Sequence, residues 1–201
     1  MKIICLTTAD NGNCSAVSSE SPLSEIVVKP ETALLVNNKP LYIPHFTNDL
    51  RALPCLAIRI SRLGRNIEQR FASRYYDAIA TSMSFRAYDR LQQALQNKLQ
   101  QSQWDAFDNS FAISKWAEIQ NTDGGQSYNI VKNDTVLTAN AEALTTPEKA
   151  IEIVSRYFKL CTGDIIAINM TDRYIPLSIN DIVQITTASQ KQNILLYTTI
   201  K

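Results

Sequence analysis

Ten short runs of β-forming residues divide this chain of 201 residues, with few helical patterns between them. The runs are Lys2–Leu6, Ile26–Val28, Ala33–Val36, Leu56–Ile60, Ile79–Arg86, Ser127–Lys132, Thr135–Thr138, Ile165–Ile168, Asp181–Thr186 and Asn193–Ile200. They are bounded by Asn, Asp, Gly, Pro or Ser, the residues that usually end strands. Strands that dominate without regular alternation with helices predict an α+β fold with a mostly β core. Thr145-Thr146-Pro147-Glu148 supplies a cap hydroxyl, an early proline and a glutamate at the box position. It predicts a helix with Ile151, Val154 and Phe158 on its apolar face, ended by Thr162-Gly163. Leu91, Leu95 and Leu99 at four-residue spacing predict another over Asp89–Gln100. Asn66–Ala78, with Ile67, Phe71 and Tyr75, is a third candidate helix. No internal repeat or low-complexity linker interrupts the chain, and Asn121-Thr122-Asp123-Gly124-Gly125 reads as a turn or exposed loop. The expectation is therefore one domain over residues 1–201.

Composition excludes several function classes. Hydrophobic residues make up 45% and charged residues 19%, the balance of a chain that folds around a core. A net charge of +1 gives no excess that would favour nucleic acid or an acidic membrane surface. Eight of the ten arginines lie between Arg51 and Arg90, yet Glu68, Asp77 and Asp89 are interspersed, as on a solvated face. The apolar run Ile3–Leu6 is too short for a signal-peptide core, and no stretch approaches membrane-spanning length. Cys5, Cys14, Cys55 and Cys161 are scattered, which predicts buried free thiols in a cytoplasmic protein. His45 is the only histidine, so a multi-histidine metal site is excluded. His45 with Asp49 would make a small acid–base pair, although a lone histidine in a loop is more often a surface or hydrogen-bonded residue. Five glycines and no phosphate-binding glycine motif predict no nucleotide cofactor.

Several landmarks carry a resemblance. Lys29-Pro30-Glu31-Thr32-Ala33-Leu34-Leu35, Pro40-Leu41-Tyr42-Ile43-Pro44 and Gly64-Arg65-Asn66-Ile67 are followed by Phe71-Ala72-Ser73-Arg74-Tyr75-Tyr76-Asp77 and Phe107-Asp108. Val154-Ser155-Arg156-Tyr157-Phe158 and Gly163-Asp164-Ile165-Ile166 complete the set. Together these resemble the fumarylacetoacetate hydrolase family from about Lys29 to the C-terminus. The resemblance implies that family's fold, mixed β-sheets forming a β-roll with a few helices. It also implies a homodimer, and cleavage, decarboxylation or isomerisation of β-dicarbonyl acids with magnesium or manganese.

The resemblance locates the family's metal ligands too. Its Glu-x-Glu pair falls at Leu53 and Cys55, and its third carboxylate at Ser84, within Ser84-Phe85-Arg86-Ala87-Tyr88-Asp89. The histidine before the pair falls at Arg51, the lysine at Asp105, and the substrate-binding Thr-Gly-Thr-Pro loop at Ile168–Thr171. A serine and a thiol do not hold a hard cation against water, so neither a metal nor another cofactor is expected. Cys55 reads as an inert buried thiol. Arg51, Ser84, Arg86, Tyr88 and Asp105 are the residues expected in the remnant pocket. An unpaired buried charge is expensive, so an Arg86–Asp105 or Arg51–Asp105 pair is expected where the metal centre would be. The resulting expectation is an inactive family member with a binding, structural or assembly role, as a homodimer or beside an active paralogue. The alternative is a keto-acid enzyme without the usual metal. Arg86 or Arg51 would then bind the carboxylate, and Asp105 or His45 would move the proton.

Overall fold

A long antiparallel hairpin organises the molecule, joining β4 (Leu50–Ile60) to β5 (Tyr76–Ala87) from Leu50 opposite Ala87 to Ile60 opposite Tyr76. The structure is a computed structural model that describes residues 1–8, 24–36, 38–100, 102–118, 127–188 and 193–201. The predicted loop over 121–125 and Cys14 lie outside the described residues. The expected run Leu56–Ile60 is only the second half of β4, because Pro54 reads as a strand breaker. Pro54 is tolerated because its carbonyl, which accepts from Met170 N–H at 2.9 Å, points into a gap between two shorter partner strands. In an antiparallel strand the N–H points the same way as the carbonyl, so the donor that proline lacks would face away from β5, just past the end of β10, and no bond of the β4–β5 ladder is lost.

Around the hairpin, β1 (Lys2–Thr8), β2 (Ser24–Pro30) and β10 (Ile165–Asn169) extend the sheet on one side. β6 (Phe111–Ile113) and β3 (Leu34–Leu35) extend it on the other, giving the order β2-β1-β10-β4-β5-β6-β3. Two short strands, β7 (Ala117–Glu118) and β11 (Ile175–Leu177), pair with β5 and β4 respectively. A separate four-stranded sheet runs β13 (Ile194–Thr199), β12 (Ile182–Thr187), β8 (Tyr128–Lys132), β9 (Thr135–Ala141). Strands therefore dominate, as the turn-bounded runs predict, and the fold class is α+β with a mostly β core. The strands β6, β7 and β11 were not expected; at two or three residues each they are too short to show a period of two.

The helices differ more from their sequence signals. α2 (Pro147–Tyr157) starts as predicted, with Thr146 Oγ1 accepting from Lys149 N–H at 3.3 Å. It ends at Tyr157, not at Thr162-Gly163, because Phe158 already adopts an extended conformation. α1 (Tyr88–Gln96) is shorter than Asp89–Gln100 predicts. Lys98 turns left-handed, with φ of 55°, and of the three spaced leucines only Leu91 is buried. Asn66–Ala78 is not a helix of that length: it holds a 3-10 segment over Gln69–Arg74, and Tyr76 already belongs to β5.

Alternation along the strands divides the core. Ile4, Leu6, Ile58, Ile60, Ile166 and Ile168 face α2 and pack on Ile151 and Val154. Their strand neighbours Ile3, Cys5, Leu53, Cys55, Ala57 and Ala167 face the opposite side. At the other end of the hairpin, Leu50, Ala52, Met83 and Phe85 pack against Ile130, Val183, Ile185 and Leu196 of the small sheet. The landmark Gly163-Asp164 has a structural reason. Gly163 adopts φ of 87°, and Asp164 accepts from the backbone N–H groups of Lys2 at 3.0 Å and Cys161 at 2.8 Å. That turn ties the start of β1 to the entry of β10. Among the described residues no helix is long and apolar enough to cross a membrane.

Candidate functional site

The large sheet curls, and its concave side carries the candidate site. Cys5 on β1 and Ser84 on β5 are three strands apart, which in a flat sheet is about 14 Å. Yet the Cys5 thiol lies 3.9 Å from Ser84 Oγ. Lys29 on β2 reaches further still. Its ammonium is fully buried and donates to the carbonyls of Phe85 at 3.0 Å, Asp105 at 2.6 Å and Ser110 at 2.9 Å. This cage pins the outer hairpin β1–β2 onto β5 and the segment before β6. Burial holds the Lys29 pKa below its ordinary value.

The residues that the resemblance places at the family's metal positions line this concave side. Leu53 is directly opposite Ser84 in the β4–β5 ladder, and Cys55 is two residues further along the same face. All three are buried beside Cys5, Ala57, Ala80, Phe111 and Ala167. The Cys55 thiol donates to Leu53 O at 3.3 Å, and Ser82 Oγ donates to Cys55 O at 3.2 Å. An aliphatic side chain, a hydroxyl and a thiol do not fit magnesium or manganese, which take oxygen ligands that carry charge. Among the described residues no group of three or more His, Cys, Asp or Glu side chains is placed to hold a metal ion.

Two residues beyond Ser84, Arg86 projects from the same face of β5 and meets Asp105. Its Nε donates to Asp105 Oδ1, and its Nη2 donates to Glu25 Oε1 at 3.0 Å. Of the two arginines that the sequence leaves open as partners of Asp105, the structure selects Arg86. Arg51 stands opposite Arg86 in the ladder but turns to Asp49, donating through Nε at 2.9 Å and Nη2 at 2.7 Å. Its guanidinium lies 3.6 Å from the centre of the Tyr88 ring, and Tyr174 stands between Tyr88 and Arg86, 5.1 Å from the Arg86 guanidinium. Burial pushes the Asp105 carboxyl above its ordinary value, and the Arg86 charge offsets part of that. Burial also works against the charge of Arg86, but Tyr174, Asp105 and Glu25 outweigh it and hold the guanidinium protonated.

The five expected pocket residues are thus found together, in two groups. Ser84, Arg86 and Asp105 form the buried group, while Arg51 and Tyr88 stack at its edge. His45 and Asp49 do not form a pair: Asp49 is engaged by Arg51, and His45 packs edge-on against Phe46 with ring centres 6.0 Å apart. Lys29, Glu25, Tyr174 and Cys5 were not expected in the site. The signal for two of them was present, since Glu25, Val27 and Lys29 share one face of a strand by alternation. Cys5 and Cys55 are buried thiols as predicted, whereas Cys161 is half-buried.

The buried thiols make a pH prediction. Burial raises both pKa values from the ordinary 9.0. Above pH 9 the unfolded chain therefore loses these protons while the folded chain keeps them, so stability falls as pH rises. Each thiol that stays protonated costs the fold about 1.4 kcal/mol per pH unit in that range. Lys29, shifted downward, acts in the opposite sense, so the comparison is made between variants. Urea unfolding at pH 8 and pH 10.5 is expected to show a smaller alkaline loss in Cys55→Ala than in the unchanged protein. Equal losses would show that Cys55 ionises freely in the folded state.

The comparisons with known proteins agree with this architecture. The chain superposes on a fumarylpyruvate hydrolase from Pseudomonas aeruginosa, solved with Mn2+ and pyruvate, with a TM-score of 0.83 at 13% identity. That match covers 100% of this chain and 90% of that one. A fumarylacetoacetate hydrolase family protein from Yersinia pestis CO92 gives 0.80 at 20% identity, covering 100% and 92%. A 5-carboxymethyl-2-hydroxymuconate delta-isomerase from Mycobacterium smegmatis gives 0.77 at 20% identity, covering 99% and 78%. No curated protein matches the sequence. These identities establish a shared fold only. The sequence model of the fumarylacetoacetate (FAA) hydrolase C-terminal family matches residues 2–168, and with that match the chain belongs to the fumarylacetoacetate hydrolase family.

Proposed function

We propose that this protein is a member of its family without the metal chemistry, a cytoplasmic single-domain protein that binds or scaffolds and does not turn over a keto-acid. One observation carries the reading. At the positions where the resemblance sets the three metal carboxylates stand Leu53, Cys55 and Ser84, all buried, the first two among small and apolar side chains. A magnesium or manganese ion needs charged oxygen donors and open positions for the substrate, and these residues supply neither. The Arg86–Asp105 pair gives a physical reason for the loss to persist. Arg86 and Asp105 balance each other inside the curl, so no cation is needed to neutralise a carboxylate cluster. A homodimer, or a pairing with an active paralogue, would give such a protein an assembly role.

A titration of magnesium and manganese by calorimetry, beside turnover assays with fumarylpyruvate, other acylpyruvates and oxaloacetate, tests this. Neither saturable metal heats nor metal-dependent turnover is expected at millimolar metal. Either one would overturn the reading.

A second reading is supported by the same cluster. Asp105 is shifted upward by burial and sits against a fixed guanidinium, the arrangement of an acid–base group beside a carboxylate anchor. A metal-independent hydrolase, decarboxylase or isomerase would use Arg86 to hold the substrate carboxylate and Asp105 to move a proton. Turnover in metal-stripped buffer that disappears in Asp105→Asn would favour this enzyme over the binding protein. Arg51 is the weaker anchor, because Asp49 already takes two of its donors.

A further inference from the structure

The three charged partners at the centre of the site are unequal. Arg86 and Asp105 side chains are 9% and 5% exposed, locked inside the curl, whereas the Glu25 side chain is 44% exposed. Glu25 is the second residue of β2, the strand at the edge of the sheet, and it reaches across the concave face to Arg86 Nη2. A fixed buried cation held on one side by a fixed carboxylate, and on the other by a half-exposed one, has one exchangeable position. Beside it runs a groove of about 430 Å³, lined by Glu25, Val27, Lys98, Ser102 and Asp105. The groove therefore adjoins both carboxylates that hold Arg86, which does not itself line it, and Lys98 places a cation in its wall.

We propose that Glu25 is a built-in occupant of a carboxylate-binding position on Arg86, and that a small organic carboxylate entering the groove takes its place. The exchange keeps the charge of the cluster unchanged, because one carboxylate leaves the guanidinium as another arrives. Glu25 can swing into solvent at little cost, being nearly half-exposed already, while Asp105 cannot. The Tyr174 ring lies over the guanidinium, 5.1 Å away, and stays beside it through the exchange. Because Glu25 is tethered, it competes at high effective concentration and sets a threshold that a free acid must exceed. Arg86 and not Arg51 is the exchangeable cation, because Asp49, two residues away, already holds the Nε and Nη2 donors of Arg51. This inference rests on the binding reading of the site and adds its ligand class and its gate.

The test uses the full chain in metal-stripped buffer, with sodium acetate as probe and sodium chloride at equal ionic strength as control. The Nε–H signal of Arg86 is followed by NMR in the unchanged protein and in Glu25→Gln. Acetate is expected to shift that signal saturably in both, with affinity about three- to fivefold higher in Glu25→Gln, the range a partly exposed ion pair accounts for. Equal affinities in the two proteins would overturn the gate. No saturable shift in either, or an equal response to chloride, would overturn the carboxylate site. Because the buffer holds no metal, those failures are independent of the magnesium and manganese titration. Metal binding there would overturn the reading of the centre without deciding the role of Glu25.

Discussion

Asp105→Ala is expected to destabilise the protein by about 3–5 kcal/mol, the cost of leaving a buried charge without its partner. Arg86 would keep only the half-exposed Glu25, while its Nε lost its acceptor inside the curled sheet. In a chain of this length each kcal/mol moves the melting temperature by roughly 2–4 °C, so a drop of about 6–20 °C is the expected reading. The companion measurement is the double variant Arg86→Met/Asp105→Leu. Replacing both charges with apolar groups of similar size removes the desolvation cost together with the attraction, and such replacements are often neutral. The double variant is expected to be more stable than Asp105→Ala. A double variant that loses as much as the two single changes combined would mean that the two residues act independently and do not neutralise each other.

Lys29→Met is the second large effect, expected at about 2–4 kcal/mol. Methionine matches the length of the lysine stem but donates nothing to the carbonyls of Phe85 and Asp105, which lose their Lys29 bond while buried. Ser110 O is less affected, because it also accepts from Phe85 N–H at 2.8 Å. A buried carbonyl without a donor costs about 1–3 kcal/mol, and part of this is returned because no ammonium needs to be desolvated. The effect has a location as well as a size. Lys29 pins β2 to β5, so amide hydrogen exchange is expected to quicken across β1 and β2 well before α2. Unchanged melting with uniform exchange would show that packing alone holds the curl.

Together the two variants separate what the cluster does. Asp105→Ala tests charge neutrality at the Arg86–Asp105 pair, and Lys29→Met tests the closure of the sheet around it. Arg51 and Arg86 show why both matter. Like charges directly opposite in an antiparallel ladder repel, and these two are tolerated because each has its own carboxylate. Asp49 takes Arg51 locally, two residues away in the chain. Only Arg86 is left for Asp105, which is 19 residues along.

Much of the fold was legible in the runs of β-forming residues. Ile4, Leu6, Ile58, Ile60, Ile166 and Ile168 share one buried face of the sheet and Ile3, Cys5, Ala57 and Ala167 the other, as alternation requires, and Thr146-Pro147 opens a helix where a cap and an N1 proline belong. Boundaries were less legible where a residue was excused by its neighbours. Pro54 lies inside β4 because its partners part there, and Leu95 and Leu99 keep a helical spacing that no core rewards. The site was legible in identity more than in arrangement. Leu53, Cys55, Ser84, Arg86 and Asp105 could be placed by motif, but Glu25, Lys29, Tyr174 and Cys5 join them from strands and loops distant in sequence.

The sequence by itself determined the mostly β architecture and the family, because these depend on period, turn chemistry and residue identity alone. Only the tertiary structure decided which arginine meets Asp105, and that a lysine and a glutamate from the outer hairpin complete the cluster. The physical reason is the curl of the sheet. It folds β2 across the face of β5, setting Lys29 among the carbonyls of Phe85, Asp105 and Ser110 and Glu25 against Arg86, contacts that no local pattern encodes.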